Sequence, residues 1–137
     1  MDNSWHQIPS NSYNTHAVII GEVEIGEGCW IGPFTLLDGS GGLSIGAKTE
    51  ISAGAQVYSH SSVRRAVSNG REAIDRARTS IGCNVHIGAN AVVLMGATIG
   101  DNCVIGAGAV VTQYAEIPSG SIAVGVPARV IGARERA

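Results

Sequence analysis

The chain has 137 residues, 45% hydrophobic and 15% charged, with a formal net charge of −2. That balance fits one globular domain and excludes both a disordered chain and a general nucleic-acid binder. No apolar run approaches the roughly 18 residues of a membrane span, and the N-terminus lacks the basic, apolar, small-residue succession of a signal peptide, so a cytoplasmic protein without membrane insertion is expected.

Residues 1–18 are polar and carry no repeat, so they are expected to form an N-terminal cap or a partly disordered segment; His6 and His16 fall there. From Ile19 an aliphatic recurs at every sixth position. The series runs Ile19, Ile25, Ile31 and Leu37, then Ile45, Ile51 and Val57, then Ile81, Ile87, Val93, Ile99, Ile105, Val111 and Ile117. The fifth residue of each hexad is small or β-branched, as at Cys29, Thr35, Ala55, Ala91 and Ala109. A period of six matches neither a helix nor a one-sided strand. It predicts short strands joined by tight turns, with three hexads per triangular coil and residues 18 apart stacked on one face. The aliphatic and the small fifth residue both point into a narrow core. The glycines that follow seven of the aliphatics are expected to supply the backbone angles of sharp corners. Cys29 and Cys103 fall on the inward small position and read as compact hydrophobes, while Cys83 points outward.

The register breaks twice. Between Leu37 and Ile45 the step is eight, across Asp38-Gly39-Ser40-Gly41-Gly42-Leu43-Ser44, which predicts a two-residue bulge in one corner. Between Val57 and Ile81 the positions that should continue the pattern hold Val63, Asn69 and Asp75. A core this narrow does not bury the last two, so residues 58–80 are expected to leave the coil as a loop. Five of the nine basic residues lie in it: Arg64, Arg65, Arg71, Arg76 and Arg78. His60 stands at its mouth, whereas His86 is an outward-facing sixth residue. Outward Val92, Val104 and Val110 suggest burial against another subunit.

The hexads, the loop that opens with a histidine, and the terminal IPSGSIAVGVPARVIG together resemble the hexapeptide-repeat acyltransferases. Within them the chain is most like the bacterial sugar O-acetyltransferases, both the maltose and galactoside group and the group that decorates surface polysaccharides. WIGPFTLLDGSGGLSIG followed by QVYSHSSV is similar to the polysaccharide group. The resemblance spans residues 19–132 and implies an all-β, single-stranded left-handed parallel β-helix, with residues 133–137 as a tail. It implies a homotrimer with active sites between subunits, acetyl-CoA as donor and no metal. It also implies that His60 is the general base, and the chemistry agrees: a sugar hydroxyl needs its proton taken as it attacks a thioester, a task suited to an imidazole. No activated nucleophile is evident, so direct transfer is expected.

For the donor, the resemblance implies contacts at Ala89 and Ala107, whose amides would stabilise the oxyanion, at Thr112 and Gln113, and at Arg129 and Arg134. Gln113 stands where relatives usually carry lysine. For the acceptor it implies Asp38, since a carboxylate can accept two hydroxyls, and His86 beside the cleft. The arginine-rich loop reads either as a contact to a phosphate on the acceptor or as a solvated segment paired with its own Glu72 and Asp75. Three alternatives stand beside O-acetylation: N-acetylation of an amino sugar, a non-catalytic scaffold, and a zinc enzyme of the γ-carbonic anhydrase kind. The last needs converging histidines, and His60 and His86 are 26 residues apart.

Overall fold

The computed structural model describes residues 16–133, and they form a parallel β-helix. His6, Arg134 and the rest of residues 1–15 and 134–137 lie outside the described residues. Three faces make the coil. The first stacks Val18–Ile20, Leu36–Asp38, Gln56–Val57, Val92–Val93 and Val110–Val111. The second stacks Val23–Ile25, Leu43–Ile45, Thr79–Ile81, Thr98–Ile99 and Glu116–Ile117. The third stacks Trp30–Ile31, Glu50–Ile51, His86–Ile87, Val104–Ile105 and Ser121–Val124; Arg129–Ala133 then turns back antiparallel on its edge.

Register follows the hexads. Ile81 lies beside Ile99, Ile87 beside Ile105 and Val93 beside Val111, each pair 18 residues apart. Across the glycine bulge the step becomes 20, as Leu37 beside Val57. Across the excursion it becomes 36, as Val57 beside Val93, which is one coil plus 18 inserted residues. Twelve of the fourteen aliphatics are buried; Ile19 is exposed and Ile25 half-buried, because no described coil lies below them. Cys29 and Cys103 are buried, and their thiols donate to the carbonyls of Gly46 and Pro118.

One expectation needs correcting. The glycines after the aliphatics do not adopt left-handed angles; that conformation falls two residues later, at Gly28, Lys48, Asn84, Asn102 and Gly120 in one corner. Those aliphatic-following glycines are required by close stacking instead. A Cβ on Gly88 would stand 2.5 Å from the Ala107 amide nitrogen, and one on Gly46 would stand 2.6 Å from that of Cys83. A hydrogen in place of a methyl lets one corner sit directly on the next.

Candidate active site

The excursion is narrower and more ordered than a loop over 58–80. Tyr58 and Ser59 stay in the coil at one end, and Thr79–Ile81 is already strand at the other. Between them His60–Ser61 pairs antiparallel with Asp75–Arg76, and Val63–Val67 forms a short helix. Two buried hydroxyls clasp the mouth. Thr79 donates to the Tyr58 carbonyl at 2.7 Å and accepts from the Gly96 amide at 3.0 Å. Ser59 donates to the Asp38 carbonyl at 2.6 Å and accepts from the Gly41 amide at 2.8 Å. Gly41 must lack a side chain here, since a Cβ would overlap the Ser59 carbonyl.

The clasp brings the two register breaks together. Asp38 is fully buried, and His60 Nδ1 hydrogen-bonds its Oδ2. The same oxygen accepts from the Ser59 amide at 2.9 Å, while Oδ1 accepts from the Ser40 amide at 2.9 Å. Burial raises the Asp38 carboxyl, but the bonds from the Ser59 amide, His60 and Ser40 outweigh it and hold the group at about 2, below the usual 3.8. The carboxylate is therefore ionised at neutral pH. Because it can only accept, Nδ1 carries a hydrogen, and the neutral tautomer compatible with this contact has its lone pair on Nε2. The acceptor contact expected of Asp38 gives way to this arrangement: both its oxygens are committed to protein donors beneath the histidine.

His60 keeps 30% of its side chain exposed and opens into a concavity of about 260 Å³, lined also by Tyr58, Ser61, Ser62, Val63, Leu94 and Gln113. The Tyr58 ring meets the imidazole edge-on, with centroids 6.0 Å apart. Gln113 thus lies with the histidine, and exposed Thr112 precedes it. The remaining expected site residues lie elsewhere. Ala89 and Ala107 occupy the corner before the first face, whereas His60, Leu94 and Gln113 occupy the corner after it. Their amides donate to no acceptor among the described residues, so both remain open donors. Arg129 is exposed on the final hairpin. His86 faces a separate hollow of about 450 Å³ on the third face, with Lys48, Glu50, Asn84 and Asn102; its Nδ1 is 3.9 Å from a Glu50 carboxylate oxygen.

The sequence reading named His60 and Asp38 separately and missed their pairing. The signal was present in the register: if Leu37 stacks on Val57, then Asp38 stacks on Tyr58, two residues from the histidine. Among the described residues no group of three or more His, Cys, Asp and Glu could hold a metal ion. No helix among them is long and apolar enough to cross a membrane.

Residues 78–113 match the model of the bacterial transferase hexapeptide (six repeats). No curated protein sequence matches the chain. Among solved structures, the AntD N-acyltransferase from Bacillus cereus, in complex with dTDP and 3-hydroxybutyryl-CoA, is similar with a TM-score of 0.78 and 25% identity, over 90% of this chain and 69% of that one. A maltose O-acetyltransferase from Clostridium difficile 630 is similar with a TM-score of 0.69 and 28% identity, over 91% and 70%. The serine acetyltransferase of Neisseria gonorrhoeae is 29% identical, with a TM-score of 0.68, over 89% of this chain and 42% of that one.

Proposed function

We propose, for a chain that is a hexapeptide-repeat acyltransferase, that it moves an acetyl group from acetyl-CoA to a sugar hydroxyl with His60 as general base. The observation that carries this reading is the buried Asp38 carboxylate beneath a histidine that opens onto a concavity. The acceptor hydroxyl gives its proton to His60 Nε2 as its oxygen attacks the thioester carbon. Asp38 fixes the tautomer and stabilises the imidazolium that forms. Collapse of the tetrahedral intermediate breaks the C–S bond, and the departing thiolate takes the proton from Nε2. No acetylated enzyme is formed.

The donor subsite proposed at Ala89 and Ala107 lies one strand away from His60 of the same chain. Ala89 to Leu94 is five residues, or about 16 Å at roughly 3.3 Å per residue. One subunit cannot present both ends of that strand to one thioester. A cyclic trimer meets the requirement by setting the Ala89 corner of one subunit against His60 of the next. The outward row on the first face supports such packing: Val18, Leu36, Val92 and Val110, interrupted by Gln56 alone. Gln113 and Thr112 would border the thioester on the histidine side, and Arg129 would reach the CoA phosphates from the C-terminal hairpin.

A second reading, acetylation of a sugar amine, is favoured by the N-acyltransferase among the similar structures. The test is a panel of matched hydroxy- and amino-sugars with acetyl-CoA, read by thiol release. His60→Ala should lower turnover by roughly 10²–10⁴ with unchanged acetyl-CoA affinity, the usual worth of a positioned base. Near-normal turnover of that variant on the best acceptor would remove His60 from the chemistry, and preference for the amine would select the second reading.

A further inference from the structure

The charge of this protein is unevenly placed. Residues 60–78 hold five arginines against Glu72 and Asp75, a local excess of three positive charges in a chain of net −2. The other residues therefore hold four basic groups against nine acidic ones. Pairing uses up only two of the five guanidinium groups. Arg64 lies 3.3 Å from Glu72 and 3.2 Å from Asp75, and Arg78 lies 2.8 Å from Glu24. Both carboxylates of the excursion are thus taken by Arg64. Among the described residues no carboxylate pairs with Arg65, Arg71 or Arg76, and all three are exposed.

Two of the three are tied to the site by geometry. Arg76 is the direct cross-strand partner of His60 in the two-stranded ribbon. Opposed residues of an antiparallel pair project on the same side with Cα atoms about 4.5–5.5 Å apart. Arg65 borders a hollow of about 380 Å³ with Ser62, Ala66, Asn69 and Gly70. Ser62 also lines the His60 concavity, so the two hollows meet at that residue. Arg71 follows the Asn69-Gly70 turn, where both residues have positive φ. Its Nε donates to the Ser68 carbonyl, which leaves its terminal nitrogens outward.

We infer that the acceptor is anionic, a sugar carrying a phosphate or diphosphate that Arg76 and Arg65 hold beside His60, with Arg71 adding positive charge from the same excursion. Guanidinium groups present planar paired donors suited to phosphate oxygens, and the excursion that carries His60 holds three of them without carboxylate partners among the described residues. The inference rests on the acyl-transfer reading of His60 and narrows its substrate class. The phosphate could belong to a nucleotide-linked or a lipid-linked sugar.

The test is calorimetry on enzyme already saturated with CoA, so that the donor's own phosphates are in place. The probes are UDP, geranyl diphosphate, inorganic diphosphate and, as the neutral control, glucose. The three diphosphates should bind and glucose should not, with affinity falling as salt rises. The triple variant Arg65→Gln/Arg71→Gln/Arg76→Gln should bind them at least about tenfold more weakly while CoA affinity holds. All three side chains are exposed, so the fold should survive, and an unchanged circular dichroism melt would verify it. Tighter binding of UDP than of geranyl diphosphate assigns the nucleotide source, and the reverse order the lipid source. Absence of diphosphate binding to the CoA-loaded wild type overturns the inference. So does equal binding by the variant, or a loss that falls on CoA instead. Failure of CoA itself to bind would sink the proposed function, and that result is read in the first titration, before any diphosphate is added.

Discussion

Replacing Asp38 by asparagine tests the centre of the site, and its consequence can be sized. The carboxyl is held at about 2 against an ordinary 3.8, so its ionised form is favoured in the folded state by 1.8 pH units. At 1.36 kcal/mol per unit, that is about 2 kcal/mol of stability. A group whose folded pKa is depressed contributes fully above its unfolded value and loses the contribution as pH falls toward the folded one. The wild type should therefore keep this stabilisation at neutral pH and shed it between about pH 4 and pH 2. Asp38→Asn removes the charge and turns an amide N–H₂ toward one of three donors, from His60, Ser59 and Ser40. At pH 7 the variant should be less stable by about 2 kcal/mol, and its stability should fall less steeply below pH 4. Its turnover should fall by roughly 10²–10⁴, since the wrong histidine tautomer is no longer excluded. Urea denaturation across pH at fixed protomer concentration, paired with thiol-release kinetics, reads both effects. A variant as stable as the wild type at pH 7 with the same acid slope would refute the account of Asp38. Undiminished turnover would separate the aspartate from the chemistry.

Gly88→Ala should destabilise the coil by about 1–3 kcal/mol, because the added methyl meets the Ala107 backbone, and thermal melting checks it. A melting temperature equal to wild type would mean that the stacked corners can part at no cost. The protein should run as a trimer of 14.0 kDa subunits in light scattering at micromolar concentration. A stable monomer would leave Ala89 and Ala107 without a histidine to serve.

Much of the fold was legible because a hexad states its own burial. Ile31, Leu37, Ile51, Ile87, Val93 and Ile105 are all fully buried, as their spacing demands. The glycines were found for the wrong reason. Both left-handed backbone and close stacking favour glycine, and sequence alone does not separate them; Lys48, Asn84 and Asn102 occupy the left-handed corner instead. In the site, His60 announced itself through the broken register. Asp38 was marked too, but its pairing with His60 was not, because their meeting depends on two irregularities in combination: the bulge that lengthens one coil and the clasp that closes the next. The placement of His86 away from His60 was legible in principle, since it opens a strand of the third face.

The clasp at the mouth has a consequence for how such a protein can change. The Ser59 carbonyl accepts from the Ala77 amide at 3.1 Å and the Tyr58 carbonyl from the Thr79 hydroxyl, so the insertion is closed at its root before its tip begins. Every coil above and below keeps its phase, because Val57 still meets Val93 with its side chain inward. Residues from Ser62 to Ile74 can therefore be exchanged as a cassette while Asp38 and His60 keep their places at its root.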